Sequence, residues 1–261
     1  MEMSLNQYIL NPALKSNAVL NAATRELIKR NYEQKFDNIM LRENGKVTYY
    51  LFTDKGTNYW VYIKVPSEIV HNFYYDVVFK FTPTTNTGFT EDLFKYNVQF
   101  FSNDPNFVYT FAYVFHKNNL LIEELKSRLP KECLTKAPEE KNPTEQISYE
   151  KAIYFAYLVM KERKLNRILR FKSESKPLDA KLLLQNIELA ENKIKEREEE
   201  GKKYSHKKKA VVSSNVAKQM SKYLDKNTDL SKTNIRVTSN VKKVPITRAN
   251  KNSHIKTTPK K

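Results

Sequence analysis

Aromatic side chains are placed with an asymmetry that decides where this chain can build a core. Of its 16 Tyr, 14 Phe and one Trp, only Tyr204 and Tyr223 lie beyond residue 200. The cationic excess is placed the other way. The last 61 residues hold 15 Lys with Arg236 and Arg248 against Asp225 and Asp229, a net +15 of the total +17. The first 200 residues hold 29 basic and 27 acidic side chains. That stretch is long and aromatic enough to bury a sizeable core. The rest has too little apolar surface to offset the entropy of ordering it, although Val216, Met220 and Tyr223 fall at helical spacing. The expectation is a near-neutral globular body over 1–200 and a basic low-complexity tail over 201–261, disordered or extended.

Within the body, Asn11-Pro12 reads as a cap followed by proline at the first helical position. Leu20, Ala23, Leu27 and Ile28 then recur at helical spacing, which predicts a helix over 13–34. Period-two patterning predicts strands at Asp37–Glu43, Lys46–Thr53, Thr57–Val65, Asn72–Phe81, Leu93–Phe101 and Asn106–Phe115. Asn44-Gly45 is the hairpin signal between the first two, and Pro66 ends the third. Helical patterns resume over Asn118–Leu129, from Ser148 to Lys172 and from Pro177 through Ile194, with a proline-bearing linker at 131–147.

The fold class expected is α+β: an antiparallel meander of about six strands, preceded by one helix and followed by two or three. Its domains would be 1–130 and 148–200. Several strands are apolar on both faces, so at least one face is expected under helices or a partner chain. Trp60, Tyr62, Tyr74, Tyr109 and Tyr113 are the candidate protein-interface residues, because such rings pair an apolar body with a polar tip.

Catalytic constellations are not legible. His71, His116, His206 and His254 fall at no metal-ligand spacing, and Gly45, Gly56, Gly88 and Gly201 cannot form a phosphate-cradling loop. The lone Cys133 excludes an internal disulfide and a cysteine-rich zinc module, and suits a reducing compartment. Carboxylates are the remaining catalytic option. Asp76 with Lys80 on one strand face, and Glu91-Asp92 ahead of the next strand, are residue types that metal-dependent nucleases use. They are not joined by a convincing acid-x-lysine triplet beside a preceding aspartate, however, and Asp76 reads as a structural or edge-strand charge. No enzyme, cofactor or metal is expected. Nor is a membrane partner, since no apolar run nears the roughly 18 residues of a span and Met1–Leu10 does not read as a signal peptide.

Positive charge offers two candidate surfaces. Arg163, Lys164, Arg167, Arg170 and Lys172 crowd the end of the long helical pattern, where they complement a helix dipole or face DNA. In the tail, Lys202, Lys203, Lys207, Lys208, Lys209, Arg236, Lys242, Lys243, Arg248, Lys260 and Lys261 are candidate nucleic-acid contacts that would act by displacing phosphate counterions.

The runs TNYWVYIKVPS (57–67) and FYYDVVF (73–79), in a Lys-, Asn-, Tyr- and Phe-rich composition, resemble virion structural proteins of bacteriophages. Neck, head–tail connector and tail-completion proteins are the most similar in texture, over residues 1–200. The resemblance implies a non-enzymatic subunit, assembled in the host cytoplasm into the virion, that contacts other virion proteins or copies of itself. Contact with DNA through 201–261 is left open by it. The alternative is an intracellular nucleic-acid-binding or regulatory protein using the basic tail as a polyanion-binding arm.

Overall fold

The computed structural model describes residues 2–10, 22–54, 57–84, 90–140 and 142–200. The Asn11-Pro12 cap and the start of the first long helix lie outside them. Helix α1 (Leu5–Leu10) buries Leu5, Tyr8 and Ile9. Helix α2 (Ala22–Arg42) carries Ile28, Tyr32, Phe36 and Ile39 on one stripe that packs on the core. It stops at Asn44 and Gly45, with φ of 51° and 68°, where Gly45 N–H donates to Met40 O at 2.7 Å. Asn-Gly supplies positive φ to a hairpin and to a helix stop alike. The helical stripe decides between them, so the strand expected at Asp37–Glu43 is helix and its hairpin a C-cap.

Four strands follow, each antiparallel to the one before: β1 (Thr48–Asp54), β2 (Asn58–Pro66), β3 (Tyr74–Thr82) and β4 (Asn97–Ser102). The expected sixth strand, Asn106–Phe115, is helical instead. A π turn at Phe107–Phe111 runs into α3 (Ala112–Lys117). Asp104 Oδ1 accepts the Asn106 N–H at 2.7 Å and Pro105 takes the first helical position, a start signal that needs no tertiary help. Nearly every residue here is apolar, so alternation and helical spacing both fit the sequence.

The chain continues through a 3-10 turn at Glu123–Arg128, α4 (Glu132–Thr135), α5 (Lys151–Glu162), α6 (Ile168–Glu174), β5 (Lys176–Pro177) and α7 (Ala180–Asn186), and residues 190–200 are helical. β5 pairs parallel with β1 at Phe52 and Thr53. The result is α+β with one mixed five-strand sheet, in the order β4-β3-β2-β1-β5, in place of an all-antiparallel six. The helix expected to run unbroken to Lys172 breaks after Glu162. Lys164 there takes φ 54°, and Leu165 N–H reaches back to Met160 O. Pro177 sits in β5, and Asp179 caps the next helix through the Lys181 and Leu182 N–H groups.

Register places Val61, Phe79 and Phe100 on one sheet face and Tyr62, Val78 and Phe101 on the other. The first face packs on α1, α3 and α5. Tyr8 and Phe115 stand 4.9 and 5.4 Å from Phe100, centroid to centroid. Helix α2 lies outside α5, with Phe36 against Phe155. The second face is closed by the 3-10 turn and by residues 183–190, where Leu125, Leu183, Ile187 and Ala190 are buried. Side chains from both sides of 131–147 enter the same apolar core. Each fully buried Phe contributes about 1.5–3 kcal/mol.

Candidate interaction surface

The five aromatic residues expected at an interface separate by burial. Trp60 and Tyr62 are 1% and 2% exposed and belong to the core, because the α7 segment covers their sheet face. Lys80 lies 4.9 Å over the Trp60 ring, while the Trp60 Nε1–H finds no acceptor among the described residues. Tyr62 donates to Asp76 Oδ1 at 2.7 Å. Neither ring offers a surface to another chain. Tyr74 is half-buried and donates to Glu43. Tyr113 is half-buried, and Tyr109 is 52% exposed.

Tyr109 and Tyr113 lie one helical turn apart, on the outer side of the helix whose inner side buries Phe107, Phe111 and Phe115. With Val108, Cys133 and Pro138 they line a groove of about 450 Å³. The chain that leaves β4 builds one wall, and α4 with residues 136–140 builds the other. Asn142 holds that wall in place by donating to Thr110 O at 3.2 Å and to Gln146 O. The π turn falls where Tyr109 projects, and such turns recur at functional sites.

The groove is acidic. Glu132, Glu139 and Glu140 line it, exposed, against Lys136. None of these carboxylates forms an ion pair among the described residues. Burial pushes the Tyr109 phenol up, and Cys133, Glu198 and Glu191 push the same way. Burial likewise raises the Cys133 thiol, reinforced by Glu132 and Glu191, which disfavours its reactive thiolate form. Across α4 a second hollow of about 440 Å³ is lined by Lys126, Arg128, Lys131, Leu134 and Leu189.

Carboxylates with catalytic potential are engaged elsewhere. Asp76, 2% exposed, accepts from Tyr62, from Lys64 Nζ at 3.5 Å, from Asn103 Nδ2 at 2.9 Å and from Glu188 N–H at 3.2 Å. Asp76 N–H in turn donates to Asn103 Oδ1. Burial and the Asp76 charge push the Tyr62 phenol far up, which keeps it a donor. Lys80, on the same sheet face as Asp76, pairs with Glu124. Asp92 caps the Leu93–Lys95 turn and accepts from Asn166. Glu150 is fully buried, caps α5 through the Ala152 and Ile153 N–H groups, and is raised to about 8 by burial and by Asp104. No group of metal-ligating side chains occurs among the described residues, and none of their helices is long and apolar enough to cross a membrane.

The cations at the end of the α5 pattern form an elbow. The break at 163–167 turns Arg163 toward Gly45 O and leaves Lys161, Arg163, Lys164, Arg167 and Lys172 exposed. Arg170 donates to Tyr49 Oη at 2.9 Å and pairs with Glu174, which is the elbow's one ion pair among the described residues. Leu169 stands 62% exposed in its midst. The sequence signalled the charge but not the break that concentrates it. The tail candidates, Lys202, Lys203, Lys207, Lys208, Lys209, Arg236, Lys242, Lys243, Arg248, Lys260 and Lys261, lie outside the described residues.

Comparison with protein-family models, curated proteins and solved structures finds no match to this chain.

Proposed function

We propose that this chain is a non-enzymatic virion structural or assembly protein, of the bacteriophage neck, connector or tail-completion kind, working through protein–protein contacts. One observation carries the reading. Tyr109 leaves half its surface in water on the wall of an acid-rimmed groove, although an exposed tyrosine does nothing for the core. Aromatic rings of this kind anchor interfaces, where a pocket or groove excludes water around them. The engagement of Asp76, Asp92 and Glu150 in caps and hydrogen bonds supports a scaffold over a catalyst. The partners in this reading are other virion proteins or copies of the chain, with no cofactor and no membrane.

The test is sedimentation of intact virus particles. The chain is expected to travel with them, and Tyr109→Ala is expected to lower its incorporation while leaving the fold intact. Recovery of the chain only in particle-free fractions refutes the assignment.

A second reading is favoured by the +15 over 201–261. Here the chain is an intracellular nucleic-acid-binding or regulatory protein, and the tail displaces counterions from DNA. Deleting 201–261 would then abolish the salt dependence of binding. Salt-dependent binding retained by residues 1–200 refutes the tail as the contact.

A further inference from the structure

The acidic groove and the basic elbow are separate patches built from different segments of the chain. The elbow packs on β1 through α6 and the Arg170–Tyr49 bond, whereas the groove is built from the chain that leaves β4. Each carries what the other lacks. The groove presents an apolar floor at Val108 and Pro138 under exposed Glu132, Glu139 and Glu140. The elbow presents an apolar knob, Leu169, among exposed Arg167, Lys164 and Lys172. Charges left unpaired on both surfaces, each beside exposed apolar side chains, are the pattern of complementary interface halves.

We propose that the occupant of the groove is the elbow of a second copy of this chain, so that subunits associate head to tail with Leu169 entering between Tyr109 and Tyr113. Such a contact is heterologous. It uses two different patches, leaves one of each free on every pair, and therefore propagates into a ring when the rotation closes or into a filament when it does not. The inference rests on the reading of the chain as an assembly subunit and names its partner.

Sedimentation of the full chain tests it. Weight-average mass is expected to rise with concentration at 0.1 M salt and to fall back toward the monomer at 1 M, where the screening length shrinks from about 10 Å to about 3 Å. Glu139→Lys with Glu140→Lys, and separately Arg167→Glu with Lys172→Glu, are each expected to weaken association at least tenfold, because like charges then meet. Mixing the two variants is expected to restore it, since each reversed surface finds a reversed complement. All four positions are exposed, and far-ultraviolet circular dichroism confirms that each variant is folded.

A chain that stays monomeric at high concentration and low salt overturns the inference. It leaves the assembly reading standing, because incorporation into particles through a different protein is measured separately. Association that survives both reversals overturns it too. So does a loss of oligonucleotide binding by the elbow variant with sedimentation unchanged, which would make the elbow a polyanion contact.

Discussion

Replacing Asp76 by Asn tests whether the buried acceptor near the start of β3 holds the second face of the sheet closed. The side chain keeps its shape and loses its charge. Oδ1 faces Tyr62 Oη at 2.7 Å and Lys64 Nζ at 3.5 Å, and Oδ2 faces Asn103 Nδ2 at 2.9 Å and Glu188 N at 3.2 Å. An amide NH2 therefore meets donors whichever oxygen it replaces. The less costly placement is at Oδ1, because the Tyr62 hydroxyl can turn to Asn186 O, 3.3 Å away. Leaving a buried donor without its acceptor costs about 1–3 kcal/mol, and weakening the remaining bonds to the former carboxylate brings the expected loss to about 3–5 kcal/mol. Lys64, 39% exposed, adds little. For a body of this size each kcal/mol lowers Tm by about 2–4 °C, so a drop of roughly 6–20 °C is expected.

Urea unfolding of Asp76→Asn and of Tyr62→Phe, followed by circular dichroism, measures the effect. The tyrosine variant removes a single bond to the carboxylate, worth about 1.5–3 kcal/mol, and is expected to be the milder of the two. Hydrogen exchange adds a local readout, since the Glu188 amide keeps only a neutral amide oxygen in place of the carboxylate as its acceptor in Asp76→Asn, a weaker bond, and is expected to exchange faster. A cost below about 1 kcal/mol, or a Glu188 amide that exchanges unchanged, would refute the idea that this carboxylate ties residues 186–188 to the sheet.

Three further outcomes follow from the core and its buried groups. Phe100→Ala empties a site ringed by Tyr8, Phe79 and Phe115, and a loss of about 3–5 kcal/mol in urea is expected. Glu150, raised from 4.5 to about 8, keeps a proton in the folded chain that the unfolded chain has shed. Its contribution to stability is thus present below about 4.5 and is lost as pH rises toward about 8, with a slope of up to about 1.4 kcal/mol per pH unit. Denaturation between pH 5 and 8 is expected to show that fall in the parent and a flatter profile in Glu150→Gln, and equal profiles would contradict it. Cys133, raised by burial and by Glu132 and Glu191, is expected to react with a thiol reagent at pH 7 more slowly than a free cysteine, with the rates drawing together above pH 9.

The strands were legible where polar punctuation bounds an alternating run. β1, β2 and β3 lie within two residues of the spans read from the sequence, because Pro66 and the turn residues leave little choice of ends. Reading failed where one residue pattern serves two structures. Asn44-Gly45 suits a hairpin and a helix stop, and only the stripe Ile28-Tyr32-Phe36-Ile39, read over a longer window, separates them. Residues 106–115 satisfy both periods at once. There the cue was Asp104-Pro105, a cap with proline behind it, the same signal that Asn11-Pro12 carries. Among the interface candidates, Tyr109 and Trp60 look alike in sequence. What separates them is that Trp60 lies on a covered sheet face, with Lys80 over its ring and with Tyr62, on the same face, reaching Asn186 O 124 positions away, which no local pattern encodes.

That late cover has a consequence for synthesis. The meander is complete at Ser102, but the residues that close its second face, 183–190, come about 80 positions later. At translation rates of roughly 5–20 residues per second, the part of that face around Tyr62 that the 3-10 turn leaves open stands uncovered for roughly 4–16 s on every nascent chain. The first face waits as well, since the Tyr8 hydroxyl takes Ser148 O as its acceptor and Tyr149 reaches back to Ile9 O. These contacts span 140 positions, so their formation is expected to be a slow step of folding, one that begins with an aromatic sheet open to whatever else is being made nearby.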